Sequence, residues 1–490
     1  MLCISSLLTI SFIFFYEFVN AAHFEFQVPT WTNSLEEIHS SANSLLTFSR
    51  SNSPTHPHTN TKIAAQLPTF HYLRSQKQDM KKLIRVTTIP LSLDKLLGKQ
   101  LSFISQYYQV IAVSADQPEL KRIAKKYGVD DYHVEMTRAI TPLRDLAAVW
   151  KLYRFLKKER PEMVHSHTPK AGLVGMMAAY FAGVPVRMHT VAGLPLLEAK
   201  GIKRQALNLV EKVTYAFATK VYPNSFAMRD IIIKEGFCAP GKLKVLGNGS
   251  SNGIDTQYFS NAAVPPVAIS TLREELGITA DDFVFIFVGR LVGDKGINEL
   301  VEAFSKLVEA ERKVKVKAEV EDVFVSFSGR SVKLLLVGPL ETELDALKPE
   351  TLQEIQQHPS IISVGYQDDV RPYFAIADAL AFPSYREGFP NVVLQAGAME
   401  LPAIVTDING CNEIISEEEN GLIIPVKDAE ALQAAMEKII TDQAFYHRMK
   451  ENARPMIESR YRQEVVWQAL LEEYASAVCS VNPASLSDPQ

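Results

Sequence analysis

The chain has 490 residues, 47% hydrophobic and 22% charged, with a net charge of −5. This composition leaves room for two or three domains and excludes collagen-like and disordered classes. Four widely separated cysteines, Cys3, Cys238, Cys411 and Cys479, with no CxxC pair, exclude a disulfide framework or a zinc spacing and fit a reducing compartment. The charge is uneven: residues 80–260 hold 27 Lys and Arg against 14 Asp and Glu, a balance that favours an anionic partner for the first half.

Residues 1–79 read differently from the rest. MLCISSLLTISFIFFYEFVNAA has the apolar core of a signal peptide without a basic start. Residues 40–79 are rich in Ser, Thr, Asn, His and Pro, a disordered composition. MKKLIRVTTI then has the look of a protein start, so Met80 is expected to initiate the folded part and 1–79 to be an extension outside it; an export signal or anchor is the alternative. From there short apolar runs alternate with helical patterns: LIRVTTI, YQVIAVSA, EMVHSH, VRMHTV and KVYPNS as strands, with PELKRIAKKYG, LRDLAAVWKLYRFLKKER, AGLVGMMAAYFAGV and RQALNLVEKVTYAFA as helices. KLKVLGNG continues the pattern. Such alternation predicts βαβ units and a doubly wound parallel sheet.

The polar stretch TQYFSNAAVPPVAIS reads as a linker, after which the rhythm restarts with DFVFIFVGR, VKLLLVGP, IISVGY, DALAFPS, AIVTD and GLIIPV as strands. The expected organisation is an N-terminal Rossmann-like domain over 80–262, a second over 263–455, and a helix and tail over 456–490; the stretch FYHRMKENARPMIESRYRQEVVWQALLEEYASAV reads as helical apart from a break at Pro455. KVKVKAEVEDVFVSFSGRS (313–331) reads as an inserted hairpin or strand on the surface. Two such domains place a ligand in the cleft outside the carboxyl ends of their strands, and the chemistry-bearing motifs lie at strand ends.

In VGRLVGDKG (288–296), Arg290 can fork onto phosphate oxygens and Lys295 supplies a point charge, together enough for a diphosphate. The loop is not a Walker motif. In SYREGFPNVVLQAGAMELP (384–402), Pro390 or Asn391 opens a helix whose free N–H groups suit an acceptor-rich ligand, while the Glu387 carboxylate suits hydroxyls. In VHSHTPKAG (164–172), His165 and His167 are expected to answer to different partners, one in the cleft and one on the backbone. No third ligand for a metal is apparent, and none is expected. HTVAGLP (189–195) is a further strand-end loop with His and Gly. GNGSSNGID (247–255) would let backbone approach a ligand closely or simply turn the chain. The absence of GxGxxG after the first strand counts against a dinucleotide oxidoreductase.

Taken together, GRLVGDKG, YREGFPNVVLQAGAMELP and TDINGCNEII…NGLIIPV resemble the nucleotide-sugar domain of the retaining glycosyltransferase family 4, which has the GT-B fold. HSHTPKAGLVGMMAA and HTVAGLP resemble the first domain of bacterial members that build surface polysaccharides. The resemblance spans nearly all of 80–475. It implies an α/β, two-domain GT-B architecture and a donor site formed by Gly289, Arg290, Lys295, Glu387, Gly388, Phe389, Pro390, Asn391 and Gln395. Within it, Arg290 and Lys295 would hold the diphosphate and Glu387 the sugar. Gln395 stands where the family has a second glutamate for the ribose, leaving one acceptor oxygen and two donors in place of a charge. His167 resembles the family's acceptor-side histidine, so the catalytic set it implies is Arg290, Lys295, Glu387 and His167.

The implied reaction moves a hexosyl group, with retention and without metal or cofactor, from a nucleoside diphosphate sugar to an acceptor hydroxyl. A UDP-sugar donor and a polyprenyl-diphosphate-linked sugar acceptor are expected, as in capsular, exopolysaccharide or O-antigen-type synthesis. The enzyme would be cytoplasmic and peripheral at the inner face of the membrane, touching anionic lipid and no nucleic acid. The basic clusters Lys121–Lys126, Lys157–Arg160 and Lys200–Arg204 would carry that contact. A sugar-nucleotide epimerase or a non-enzymatic sugar-nucleotide-binding protein of the same fold is the rival expectation.

Overall fold

The protein is described from a computed structural model, which covers residues 80–481 apart from 138, 140, 195, 197, 198, 322–329, 342 and 344. The readings made for 1–79 lie outside the described residues. The described residues belong to one unit, which holds two six-stranded parallel sheets.

The first sheet is built from β1 (Lys82–Val86), β2 (Gln109–Ser114), β3 (Asp130–His133), β4 (Met163–His167), β5 (Val186–Val191) and β6 (Lys220–Pro223), in the order β3-β2-β1-β4-β5-β6. Its helices are α1 (Lys99–Ile104), α2 (Gln117–Tyr127), α3 (Pro142–Glu159), α4 (Pro169–Ala182), α5 (Gly201–Phe217) and α6 (Phe226–Lys234). Parallel neighbours need crossovers, and right-handed crossovers put the helices of β1–β3 on one face and those leading to β4, β5 and β6 on the other. Accordingly α1 packs with α2, while α3 and α5 both pack on α4. The central strands are buried on both faces and mostly apolar, with Arg85 of β1, His165 to His167 of β4 and His189 and Thr190 of β5 among the buried polar exceptions.

The second sheet repeats the plan after α7 (Pro266–Glu275). It contains β7 (Asp282–Val288), β8 (Ser331–Val337), β9 (Ile361–Ser363), β10 (Ala379–Phe382), β11 (Ala403–Thr406) and β12 (Gly421–Ile424), in the order β12-β11-β10-β7-β8-β9. Both sheets thus have the same winding, reversing direction beside their first strand, where ligands of such sheets bind. Helices α8 (Ile297–Glu321), α9 (Pro349–Gln357), α10 (Arg371–Ala375), α11 (Asn391–Ala398), α12 (Cys411–Ile414), α13 (Ala429–Thr441) and α14 (Gln443–Tyr461) complete this lobe. The last helix, α15 (Gln463–Val481), returns to the first lobe, where Tyr474 bonds Arg85 and Glu473 bonds Tyr222. The two chain crossings run side by side: Ile254 N donates to Tyr461 O at 2.8 Å and Gln463 N donates to Ile254 O at 3.1 Å.

Three local expectations change. Residues 313–321 are not a hairpin, because α8 runs through Glu321; the rest of the insert up to 329 lies outside the described residues. Pro455 does not break a helix. It sits inside α14, and the carbonyl it leaves without a donor belongs to Glu451, an exposed residue that water can satisfy. The break comes instead at Arg462, whose backbone leaves the helical region. KLKVLGNG adds only a single bridge, Leu243 to Val221, to the edge of the first sheet.

Candidate active site between the lobes

A cavity of about 560 Å³ opens between the carboxyl ends of the two sheets. Its second-lobe wall is made by Arg290, Asp294, Lys295, Tyr385, Arg386, Glu387, Gly388, Ile408 and Asn409. Arg290 leaves β7 through Gly289, and Lys295 ends a short 3-10 turn, Gly293–Lys295, at the start of α8. That turn closes through Gly296, whose φ is +71° and whose missing Cβ would lie 2.1 Å from the Pro383 carbonyl oxygen. Lys295 Nζ is 2.5 Å from Glu387 Oε1, and Ser384 Oγ donates to the same oxygen at 3.2 Å. The pair is partly shielded, so its charges face the cavity in defined positions. Arg290 reaches Glu341 at 3.2 Å across a more exposed gap. Asp294 Oδ2 accepts from Arg386 at 2.7 Å, while its buried Oδ1 has no hydrogen-bond partner. The arrangement is therefore two cations beside carboxylates positioned to accept from hydroxyls, the chemistry a diphosphate joined to a sugar requires.

The opposing wall comes from the first lobe: Thr168 and Pro169 at the start of α4, His189 to Leu194 at the end of β5, Glu211 of α5, and Met228 and Ile231 of α6. Glu211 is 6% exposed, and burial raises its pKa. Tyr215, one turn on, is buried with its hydroxyl beside the Glu211 carboxylate. His189 bonds Ser166 Oγ through Nδ1 at 2.9 Å, and burial holds its pKa down to about 4. The imidazole is thus neutral at neutral pH.

The lobes meet along the rim of this cavity. A Cβ on Gly388 would lie 2.0 Å from the Ala192 carbonyl oxygen, so only glycine permits that approach. Asn409 Nδ2 donates to the carbonyls of Glu387 and Gly388 at 3.0 and 2.7 Å, and its Oδ1 accepts from Ser225 Oγ of the first lobe at 2.6 Å. Glu413 accepts from the Phe226 and Ala227 N–H groups at 2.8 and 3.0 Å, so a carboxylate of one lobe satisfies the free first-turn donors of a helix in the other.

Arg290, Lys295, Glu387 and Gly388 are therefore brought together. Gly289, Phe389, Pro390, Asn391 and Gln395 lie in the adjoining loops and helix, outside the cavity wall. Pro390 caps α11 and Asn391 begins it, as the sequence indicated.

The histidine reading needs correction. Residues two apart on a strand share a face, and the rings of His165 and His167 are 4.2 Å apart in one buried network. Neither is held by backbone. His167 Nε2 accepts from Arg85 Nε at 3.1 Å, so its proton sits on Nδ1. The Tyr474 hydroxyl accepts from Arg85 Nη1 at 2.9 Å and so donates to His165 Nδ1 at 2.6 Å. That leaves His165 Nε2–H for Thr190 at 2.8 Å. Arg85 is wholly buried with neutral acceptors only: these two groups and Gln100 Oε1 at 2.6 Å. Burial, with the Arg85 charge beside them, pushes both histidines well below their ordinary pKa. His167 lines a smaller adjoining cavity, which shares Thr190 with the main one. Among the described residues no group of three His, Cys, Asp or Glu side chains is clustered to hold a metal.

Sequence reasoning missed Glu211, Asn409 and Glu413. Glu211 is the sole acid in an otherwise apolar and basic helix, a weak but visible signal. The other two stand in the quoted TDINGCNEII, but their partners lie some 185 positions earlier in the chain.

The fold is that of a GT-B glycosyltransferase. The description "Glycosyl transferases group 1" matches residues 268–456, and "Glycosyl transferase 4-like domain" matches 105–249. The chain belongs to the group 1 glycosyl transferases. It is 32% identical to the capsular polysaccharide biosynthesis glycosyltransferase CapM of Staphylococcus aureus, over 80% of this chain and 97% of that protein. It is 29% identical to the UDP-Gal:alpha-D-GlcNAc-diphosphoundecaprenol alpha-1,3-galactosyltransferase of Escherichia coli, over 70% of this chain and 85% of that one. Among solved structures, Anabaena HepE in complex with UDP and glucose superposes with a TM-score of 0.64 at 18% identity, over 81% of this chain and all of that one.

Proposed function

We propose that this glycosyltransferase moves a hexosyl group from a UDP-sugar to a hydroxyl of a polyprenyl-diphosphate-linked sugar, with retention, in bacterial capsular or related surface-polysaccharide synthesis. The observation that carries the reading is the convergence of Arg290, Lys295 and Glu387 on one cavity wall, facing Glu211 and His189 across it. The E. coli relative's name, with a UDP-sugar donor and a diphosphoundecaprenol-linked acceptor, supports the choice of substrates.

In this reading the sugar–phosphate bond breaks as negative charge grows on the departing diphosphate. Arg290 and Lys295 are already in place to stabilise that charge. Preorganised donors of this kind are worth on the order of 3 kcal/mol each in such sites. Glu387, held by Lys295 and Ser384, accepts from hydroxyls of the transferred sugar, and Gln395 offers neutral contacts to the ribose. The incoming hydroxyl rests against Glu211 and passes its proton to a phosphate oxygen of the leaving group, so the chain need supply no base. His167, with its proton fixed on Nδ1, donates from the adjoining cavity and does not act as a base. No helix among the described residues is long and apolar enough to cross a membrane, and the enzyme is proposed to work peripherally on the anionic cytoplasmic face. The test is release of UDP from a panel of UDP-sugars with and without a polyprenyl-diphosphate sugar, with the product's anomeric configuration read by NMR. Acceptor-dependent release with retention supports the reading. Acceptor-independent interconversion of the donor would make the protein an epimerase instead, and tight binding without turnover would make it a binding protein.

A further inference from the structure

Two helices of the first lobe, both packed on α4, expose large apolar side chains. On α3, Leu143, Leu146 and Trp150 recur at helical spacing on the solvent side, with Trp150 61% exposed and stacked on Tyr153. On α5, Ile202 is 85% exposed and begins a stripe that continues to Leu209. The exposed charged residues among these side chains are basic: Arg144, Lys151 and Arg154 on α3, with Lys200 and Lys203 at the start of α5. The acids of the two helices do not offset them. Asp145 pairs with Lys170, Glu159 pairs with Lys82, and Glu211 is buried toward the cavity.

An amphipathic surface with Trp and Leu among Lys and Arg fits the interface of an anionic bilayer, where the rings and aliphatic chains enter the headgroup boundary and the cations meet lipid phosphate. We propose that the α3–α5 face is the bilayer-docking surface of this enzyme. The placement rests on the lipid-linked acceptor reading above and explains how such an acceptor reaches the chemistry. Lys170, tied to the first turn of α3, follows Thr168 and Pro169 in the cavity wall, and Glu211 in that wall belongs to α5 itself. A sugar on a lipid embedded beside these helices has only the lip of the cleft to cross. The cluster on α2 is a different surface. It belongs to the other helical layer, and two of its four cations are engaged, Arg122 with Glu119 and Lys126 with Asp94.

Trp150 makes the proposal directly measurable: the full chain also holds Trp31 and the buried Trp467, and the difference between it and its Trp150→Phe variant isolates the Trp150 emission. Vesicles of phosphatidylglycerol and phosphatidylcholine, with and without bromine on the acyl chains, are titrated into the protein. The proposal expects the emission assigned to Trp150 to shift to the blue and to be quenched by the brominated chains. It also expects the Leu146→Ser/Ile202→Ser double variant to lose at least tenfold in vesicle affinity while keeping its melting temperature. That variant should keep its turnover on a short-chain, water-soluble acceptor and lose it on the acceptor in vesicles. Vesicle binding that leaves Trp150 unquenched would overturn the proposal, as would no vesicle binding at all or a stable dimer in solution that covers Trp150. If the wild type docks through Trp150 but turns over no lipid-linked acceptor, the substrate reading fails and the docking surface stands.

Discussion

Replacing His189 with Asn and following stability against pH isolates one buried group of the first-lobe wall. The imidazole is enclosed by Ser166, Tyr215 and Gly172, where an added Cβ would lie 2.5 Å from the ring. Burial lowers its pKa from 6.5 to about 4. Between those values the folded state keeps the ring neutral while the unfolded chain protonates it, so the unfolded state binds more protons. The stabilisation is therefore complete above 6.5 and is lost as the pH falls toward 4. Over the whole window it amounts to about 3 kcal/mol, a slope near 1.4 kcal/mol per pH unit. His165 and His167 are depressed in the same direction and add to the acid sensitivity of both proteins. Asn keeps a hydrogen-bond partner for Ser166, and any packing loss is a constant offset. Urea unfolding at four pH values from about 7.5 to about 4.5 should give a shallower decline for His189→Asn, by roughly one proton. Parallel declines would show that His189 is not held neutral by burial and would refute the reasoning.

Glu413→Ala should weaken the contact between lobes, because it leaves the Phe226 and Ala227 N–H groups without their charged acceptor. A loss of about 1–3 kcal/mol is expected in calorimetry, together with a fall in acceptor-dependent turnover but not in donor affinity. An unchanged melting profile would contradict it. Glu211→Gln should raise the KM for acceptor several-fold and leave donor binding unchanged, in steady-state kinetics with each substrate varied in turn. A change confined to donor KM would place Glu211 on the wrong side of the cavity.

Much of the architecture is legible in the residues because covered parallel strands are mostly apolar, β4 with its buried histidines being the exception. DFVFIFV and LLLV can hardly be anything else, and the helices between them carry their own period. β3 escapes because Asp130–His133 is a polar edge strand whose exposed face needs no apolar residue. The cavity-wall residues of the second lobe are legible because they follow strands within short motifs, as Arg290, Lys295 and Glu387 do. What stays hidden depends on long-range pairing. Nothing local says that His167 meets Arg85 and Tyr474, or that Glu413 caps a helix of the other lobe. Gln395 shows a further limit: its position on α11 follows from the pattern, while the ligand group it meets does not.

The central claim is that two cations on the second-lobe wall neutralise a departing diphosphate. Measuring single-turnover rates and UDP affinity for the wild type, Arg290→Ala and Lys295→Ala tests it most directly. The account predicts a rate loss of about 100-fold or more in each variant, weakened UDP binding and an intact fold by circular dichroism. Near-normal rates in both folded variants would contradict it.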